Sequence, residues 1–382
     1  MDQKFPKELL EKSPAERIGY FAAHRIAHTK LMKAYNALLE AVEDAKDGSI
    51  ITILGPTGVG KTTLLERLRQ KAVDEFYGTS IEQNPEAGSC IPIVMVEAAS
   101  ADKGFDWKDY YRRLLGELYD PIPARKLDYR KWEALPGEVS EILQSDRTPA
   151  AVYRRAVEKA LKHRKPKAVL IDEAQHIGAT GSGRKTLDQL NHIKSIANLS
   201  KTVHVLCGSY ELLSFLNLSG QLSRRSSEIH FERYRLDRKE EINVFRNVVW
   251  EFQNHLPVRQ APDLLNDWEY LYERTLGCIG TLHDWLLRAL KKALRENAET
   301  LPQEFLEQTA LPLAKCQTIF EEINNGEDSL SEEEVSRVAF RQKLGLEETE
   351  RVEIRAPQPQ KNKGRVGVRN AARDPVGRRA AG

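Results

Sequence analysis

Cysteine, long apolar runs and net charge are all scarce in this chain, and each shortage excludes something. The four cysteines among 382 residues (Cys90, Cys207, Cys278 and Cys316) are widely scattered and form no C-x-x-C pair. That scatter argues against a disulfide framework or a structural zinc site and fits a reducing cytoplasm. The opening residues Met1-Asp2-Gln3-Lys4-Phe5-Pro6 hold no apolar stretch, so no signal peptide is expected. No apolar run approaches the roughly 20 residues needed to span a bilayer, so no membrane partner is expected. The net charge is only +2, with 41% hydrophobic and 30% charged residues, the balance of a soluble globular protein. The distribution of charge therefore carries more information than its sum. The length suffices for a sizeable core, read as one large domain with appendages.

One stretch organises the rest. The β-branched run Ile50-Ile51-Thr52-Ile53-Leu54 leads into Gly55-Pro56-Thr57-Gly58-Val59-Gly60-Lys61-Thr62-Thr63, and Leu64, Leu65 and Leu68 begin a helical pattern. The loop reads G-x-x-x-x-G-K-T, a P-loop. Glycines let the backbone turn tightly and point successive N–H groups at phosphate oxygens. The helix that follows adds the positive end of its dipole. Lys61 can reach the β- and γ-phosphates, and the Thr62 hydroxyl can ligate Mg²⁺. The strand before and the helix after separate this loop from a chance Gly-rich turn.

Before the P-loop, Ser13-Pro14-Ala15-Glu16 is a capping box that predicts a helix to about His28. A second helix is expected from about Thr29 to Lys46, closed by Gly48. His24 and His28 stand four apart, a metal-binding spacing, but lack a third ligand nearby, so packed or solvated histidines are the stronger reading. Arg25 and His28 are also candidates for framing an adenine edge. After the P-loop helix, Ile91–Ala98 reads as a buried strand. The loop Ser100–Gly104 leads into a helix from Trp107 to Tyr119, residues 120–147 are proline-interrupted, and Thr148-Pro149 opens a basic helix ending in His163-Arg164-Lys165.

The apolar strand Ala168-Val169-Leu170-Ile171 then ends in Asp172-Glu173, roughly 110 residues beyond the P-loop, the Walker B pattern. Asp172 can hold Mg²⁺ directly or through water, while Glu173 can polarise an attacking water. A loop from Gly178 to Lys185 precedes a helix to about Leu199, and Val203–Gly208 is a further buried strand tipped by Ser209. That serine can sense a γ-phosphate, cap the next helix, or do both. Arg224 and Arg225 lie before a last short strand (about 229–231). They read either as an arginine finger for a neighbouring subunit or as a solvated basic turn.

From Asp237-Arg238-Lys239-Glu240, another capping box, the periodicity is helical: about 238–255, 263–276, 281–296 and 303–317. Such a segment reads as a lid over nucleotide. Lids of this kind often open a helix with a sensor arginine, but the matching turn here carries Thr281, with Arg288 about two turns later. Residues 318–353 turn acidic, and Ser331 with Glu334 predicts a helix to about Leu344. From Arg355 the chain is Pro-, Gly- and Arg-rich and is expected to be disordered, able to touch nucleic acid or an acidic partner or simply to solubilise. The expected fold is α/β, an AAA+ P-loop ATPase with a parallel doubly wound sheet and an α-helical lid. The expected division is 1–48 N-terminal helices, 49–235 core, 236–318 lid, 319–354 acidic linker and 355–382 basic tail.

Together the P-loop, Val169-Leu170-Ile171-Asp172-Glu173-Ala174-Gln175-His176, Gly208-Ser209-Tyr210-Glu211-Leu212-Leu213 and Arg224-Arg225…Ile229-His230-Phe231-Glu232-Arg233-Tyr234 resemble the TnsC/TniB family. These are AAA+ regulators of DNA transposition, related more distantly to MuB. The resemblance spans about residues 15–300, and its specific part lies in the segments outside the shared Walker motifs. It implies ATP and Mg²⁺ as cofactors, bound by Lys61, Thr62, Asp172 and Glu173, with Ser209 sensing and Arg224 or Arg225 reaching across subunits. It further implies a homo-oligomeric ring or filament on double-stranded DNA. A target selector of the TniQ/TnsD type, in some systems with a CRISPR effector, and a TnsA/TnsB-like transposase would be its partners. ATP hydrolysis would disassemble it. A ring threaded by duplex needs basic loops that touch phosphates without reading bases, and Lys103, Arg184 and Lys185 stand on suitable loops. Two other classes stay open: an initiator-like AAA+ machine, which a winged helix after the lid would favour, and a nucleotide-gated scaffold with little turnover.

Overall fold

The computed structural model describes residues 3–79, 90–99, 104–119, 149–178, 183–217, 226–330 and 340–344. Within them the apolar runs form five strands: β1 (Ile50–Leu54), β2 (Ile93–Glu97), β3 (Ala168–Asp172), β4 (Val203–Gly208) and β5 (Ser226–His230). All pair in parallel, in the order β2-β3-β4-β1-β5. Ile50 lies opposite both His204 and Ser226, and Ala168 opposite both Ile93 and Val203. A parallel sheet is covered on both faces, which is why these strands read as continuous apolar runs. Alternate residues confirm it. Ile51, Ile53, Leu170 and Val205 pack on one face with α2 (Thr29–Glu43) and α3 (Lys61–Thr79). Leu54, Val94, Val169, Ile171 and Leu206 pack on the other with α4 (Trp107–Tyr119), α5 (Ala150–Arg164), α7 (Gly183–Ser200) and α8 (Glu211–Asn217). The short α6 (Gln175–Gly178) follows β3 directly. The sheet is doubly wound. Because β4 sits between β1 and β3, the P-loop, Asp172-Glu173 and Ser209 emerge side by side.

A separate core holds the lid helices α9 (Lys239–His255), α10 (Trp268–Thr275), α11 (Ile279–Arg295) and α12 (Gln303–Thr309). On α11, Leu282, Leu286, Ala289, Leu290 and Ala293 recur at helical spacing and are all fully buried. Trp285 is buried beside them, and its indole N–H donates to the Leu306 carbonyl at 3.0 Å. Phe21 of α1 (Pro14–Ala23) belongs to this lid core, whereas Leu31, Tyr35 and Leu38 of α2 belong to the sheet core. The N-terminal segment therefore joins both bodies. Lys4 pairs with Glu251 at 2.7 Å and Arg17 donates to the Pro257 carbonyl at 2.8 Å, fastening its first part to the lid.

Several expected boundaries move. The Ser13–Glu16 capping box forms, but α1 stops at Ala23 and residues 24–28 are not helical. The four-residue spacing of His24 and His28 therefore does not put them on one helix face. No capping box forms at Asp237: that carboxylate pairs with Arg235 at 2.9 Å, and Arg238 occupies the cap without a side-chain bond. The pattern expected over 303–317 breaks at Ala310-Leu311-Pro312, as a proline after a helix end should make it do. The next helix, α13 (Leu313–Leu330), then runs on through Glu321 and Glu322. Its Glu327 is buried and takes Arg233 at 3.0 Å and Arg235 at 3.1 Å. The chain divides after Leu330. Of the later unit only residues 340–344 are described, so most of the expected Ser331 helix and the basic tail lie outside the described residues. No described helix is long and apolar enough to cross a membrane.

Candidate nucleotide site

Lys61 is buried at 7% exposure, and its ammonium donates to the Gly55 and Pro56 carbonyls, each at 3.0 Å. A buried cation must be paired or hydrogen-bonded, and here the loop supplies the acceptors from its own backbone. Gly58 and Gly60 hold φ of +78° and +115°, conformations that cost an L side chain dearly. At Gly55 the constraint is space: a Cβ would lie 2.4 Å from the Phe231 carbonyl oxygen after β5. The turn is thus closed against the sheet edge before any ligand enters.

Across the loop, the Thr62 hydroxyl donates to Asp172 Oδ2 at 2.7 Å, and the Glu173 backbone N–H donates to Oδ1 at 3.0 Å. Burial pushes the Asp172 carboxyl above its ordinary range, against the pull of those two donors. Two hard oxygens meeting beside a phosphate-binding loop suit Mg²⁺, which takes few protein ligands and completes its shell with phosphate and water. Accordingly, among the described residues no group of three or more His, Cys, Asp or Glu is gathered for a metal. Glu173 follows with φ +52°, a left-handed non-glycine residue. Its carboxylate accepts from the Gln175 side-chain amide, and the Gln175 oxygen accepts the Ser209 N–H at 3.2 Å. Lys61, Thr62, Asp172, Glu173 and Ser209 are therefore brought together.

A cleft of about 200 Å³ opens from the P-loop, lined by Thr57–Thr63 and Glu173 on one wall and by His24, Arg25, His28, His283 and Asp284 on the other. Residues 43–216 match the family model described as the AAA domain. With its five-stranded parallel sheet, the fold is that of an α/β P-loop ATPase. Among solved structures, the Walker-type ATPase PABY2304 of Pyrococcus abyssi is similar at 17% identity, with 78% of this chain and 75% of that one covered and a TM-score of 0.47. The Aeropyrum pernix ORC2 protein in its ADPNP–ADP complexes is similar at 14% identity, with 77% and 70% covered and a TM-score of 0.45. Domain III of the Thermotoga maritima replication initiation protein DnaA is similar at 14% identity, with 79% and 95% covered and a TM-score of 0.39. Among curated proteins no sequence matches significantly.

Helix α11 reaches the P-loop by backbone contact. The Thr281 N–H donates to the Gly58 carbonyl at 2.9 Å. A Cβ on Gly280 would lie 2.6 Å from that same oxygen, and one on Gly58 would lie 2.0 Å from the Thr281 hydroxyl. Arg288 is turned elsewhere, toward the Thr309 carbonyl at 3.4 Å. The lid residues at the cleft are instead His283 and Asp284, which the sequence reading missed. His283 Nε2 donates to the Phe21 carbonyl at 3.0 Å, its ring stacks on Phe21, and Arg25 approaches it to 3.3 Å.

The expected adenine-edge residues do line the cleft, because α1 ends early. His28 caps α2: its Nδ1 accepts the Leu31 N–H at 3.3 Å and lies 2.9 Å from the Tyr234 hydroxyl. Burial, and then Lys30, push its pKa down to about 4, so the ring is neutral at pH 7 with its proton on Nε2. Arg224, Arg225 and Lys103 lie outside the described residues, and Arg184 and Lys185 stand in the first turn of α7. That helix is fastened to the segment following Lys103: the Trp107 indole donates to Gln189, and its ring stacks on His192 at 4.8 Å.

Proposed function

We propose that the chain binds and hydrolyses ATP with Mg²⁺, and that it does so as an oligomeric regulator of DNA transposition on double-stranded DNA. The observation that carries the hydrolytic reading is the Thr62–Asp172 contact beside Lys61, with Glu173 next in chain. On this reading Lys61 exchanges the neutral Gly55 and Pro56 carbonyls for anionic phosphate oxygens, which are the stronger acceptors. Thr62 and Asp172 hold the cation, which neutralises phosphate charge when bound. Glu173 orients a water whose oxygen attacks the γ-phosphorus as the bond to the β,γ-bridging oxygen breaks, and the water proton leaves through the carboxylate. Ser209 would sense the γ-phosphate from the tip of β4.

Support for the transposition reading comes from the segments outside the Walker motifs. Tyr210 packs against Gly326 and lies 2.8 Å from His230, while Arg233 pairs with Glu327. Tyr210 and Arg233, from two of the segments that carry the TnsC/TniB resemblance, thus both contact α13. DNA contact is proposed for Lys103, Arg184 and Lys185. Arg224 or Arg225 would complete the site of a neighbouring copy. A TniQ/TnsD-like selector and a TnsA/TnsB-like transposase would be the partners, in a cytoplasmic setting. The division into N-terminal helices, core, lid, acidic segment and basic tail is proposed with it.

Electron microscopy of the protein with duplex DNA, with and without a non-hydrolysable ATP analogue, tests the assembly. Rings or filaments should form only with nucleotide and vanish with Lys61→Ala. Binding should weaken steeply with salt and show little sequence preference. A protein that ignores DNA in every condition would leave only the ATPase reading.

A further inference from the structure

Gln175 stands between the two groups whose timing hydrolysis depends on. Its amide nitrogen donates to Glu173 Oε2, and its amide oxygen accepts the Ser209 N–H at 3.2 Å. A primary amide can donate to a carboxylate through its nitrogen and accept from a backbone N–H through its oxygen at once. Surrounding structure holds the bridge in place. The Ala174 N–H donates to the Cys207 carbonyl at 2.8 Å, tying the turn after β3 to β4. Glu173 occupies the left-handed region at φ +52°, a conformation kept only where neighbours over-determine it. Gly208 leaves the amide its room, since a Cβ there would lie 2.5 Å from Gln175 Oε1. The strand tip, the planar amide and the carboxylate thus form one chain of contacts.

We propose that Gln175 is a positioning residue that couples the tip of β4 to the Glu173 carboxylate, so that displacement of Ser209 by a bound triphosphate re-aims Glu173. The step exchanges hydrogen bonds only; no covalent bond changes. It rests on the ATPase reading above. The amide spans its two partners with little slack, so a shift of about 1 Å at Ser209 must either be passed to Glu173 or break a bond. Gln175 itself need touch neither nucleotide nor metal. Its loss should therefore alter turnover and leave binding intact.

Phosphate release and amide hydrogen exchange on the full chain test this with Gln175→Ala, Gln175→Glu and Gly208→Ala. Gln175→Ala should lower kcat by about 10- to 100-fold with KM for ATP changed by less than about twofold. Gly208→Ala should do the same by displacing the amide. Gln175→Glu keeps the acceptor for Ser209 but sets a second carboxylate beside Glu173, so the acidic limb of the kcat profile should move up by roughly 1–2 pH units. A role in packing alone would lower Tm without moving that limb. Protection of the Ser209 amide should fall with Gln175→Ala and persist with Gln175→Glu. An unchanged kcat and pH profile in the variants of an active enzyme would overturn the coupling. Wild-type protein without phosphate release would overturn the ATPase reading instead. In that case Ser209 protection indifferent to position 175 would overturn the bridge as well.

Discussion

The two walls of the cleft are built by different means. On the sheet wall, Lys61, Thr62, Asp172 and Glu173 are held by hydrogen bonds to backbone and to one another, beyond the ends of β1 and β3, the strands that flank β4. On the lid wall, His24, Arg25, His28 and His283 are held by ring stacking and contacts up to 262 residues apart in sequence. The first wall is a set of fixed dipoles suited to phosphate and metal. The second is a packed surface whose position depends on how α1 sits against α9 and α11. Chemistry should therefore reside on the sheet wall, and affinity and closure on the lid wall.

The largest test of that division is Lys61→Ala. It removes the ammonium and leaves the Gly55 and Pro56 carbonyls without their partner, so phosphate release should fall by about 10³-fold. Circular dichroism should show a folded protein, since the lid core does not involve Lys61. If phosphate release stays within tenfold of wild type, the sheet wall is not the seat of chemistry.

Acid should act on the walls in opposite directions. His28 has an unfolded value near 6.5 and a folded one of about 4, so the unfolded state binds the extra proton between those limits. Stability is whole above about pH 6.5 and is lost as pH falls toward 4, by roughly 3 kcal/mol for this deeply buried ring. His24 is also lowered to about 4, by burial and then by His255, whose ring stacks on it at 3.8 Å, and it adds to the loss with the same sign. Asp172 is raised, so its folded form binds the extra proton, and stability there falls as pH rises above its unfolded value. Hydrogen exchange at pH 5 against pH 7 should accordingly show α1 and residues 24–28 opening while β1 and β3 stay protected. Uniform protection at both values would mean that the walls respond as one.

The seam between the walls comes next. A methyl on Gly280 meets the Gly58 carbonyl, a backbone atom that cannot swing away. Gly280→Ala should lower stability by about 1–3 kcal/mol, read as Tm, and raise KM for ATP more than it lowers kcat. A pure kcat loss would move Thr281 from closure into chemistry.

Legibility follows the same division. P-loop, Walker B residues and Ser209 lie within or beside strands, where local pattern fixes geometry, and β1, β3 and β4 fall where the apolar runs placed them. On that wall Gln175 has no local signal within the segment Asp172–His176, because its contact with Ser209 depends on β4 lying next to β3. On the lid wall the lid pattern points to Thr281 and Arg288 for a sensor, whereas His283 and Asp284 line the cleft. Which α11 residue reaches the cleft is set by α1 packing on that helix, a contact that no local periodicity encodes. Arg25 and His28 were noticed, but the reason they reach the cleft, a helix ending at Ala23 without a glycine or proline, leaves no mark in the sequence.

His28 offers the finest test, because it separates the base from the phosphates. With Nδ1 accepting the Leu31 amide, the ring presents an Nε2–H donor from a residue that lines the cleft, which fits an acceptor nitrogen on an adenine edge. His28→Phe keeps the ring and its packing beside Phe231 but loses the donor and the cap. ATP affinity should weaken about 5- to 10-fold, near 1 kcal/mol for one net hydrogen bond. Affinity for inorganic triphosphate, which has no base to read, should hold. Calorimetry with both ligands decides it: equal losses would assign His28 to the cap of α2 alone, whereas a loss confined to ATP would make the lid wall the reader of the base.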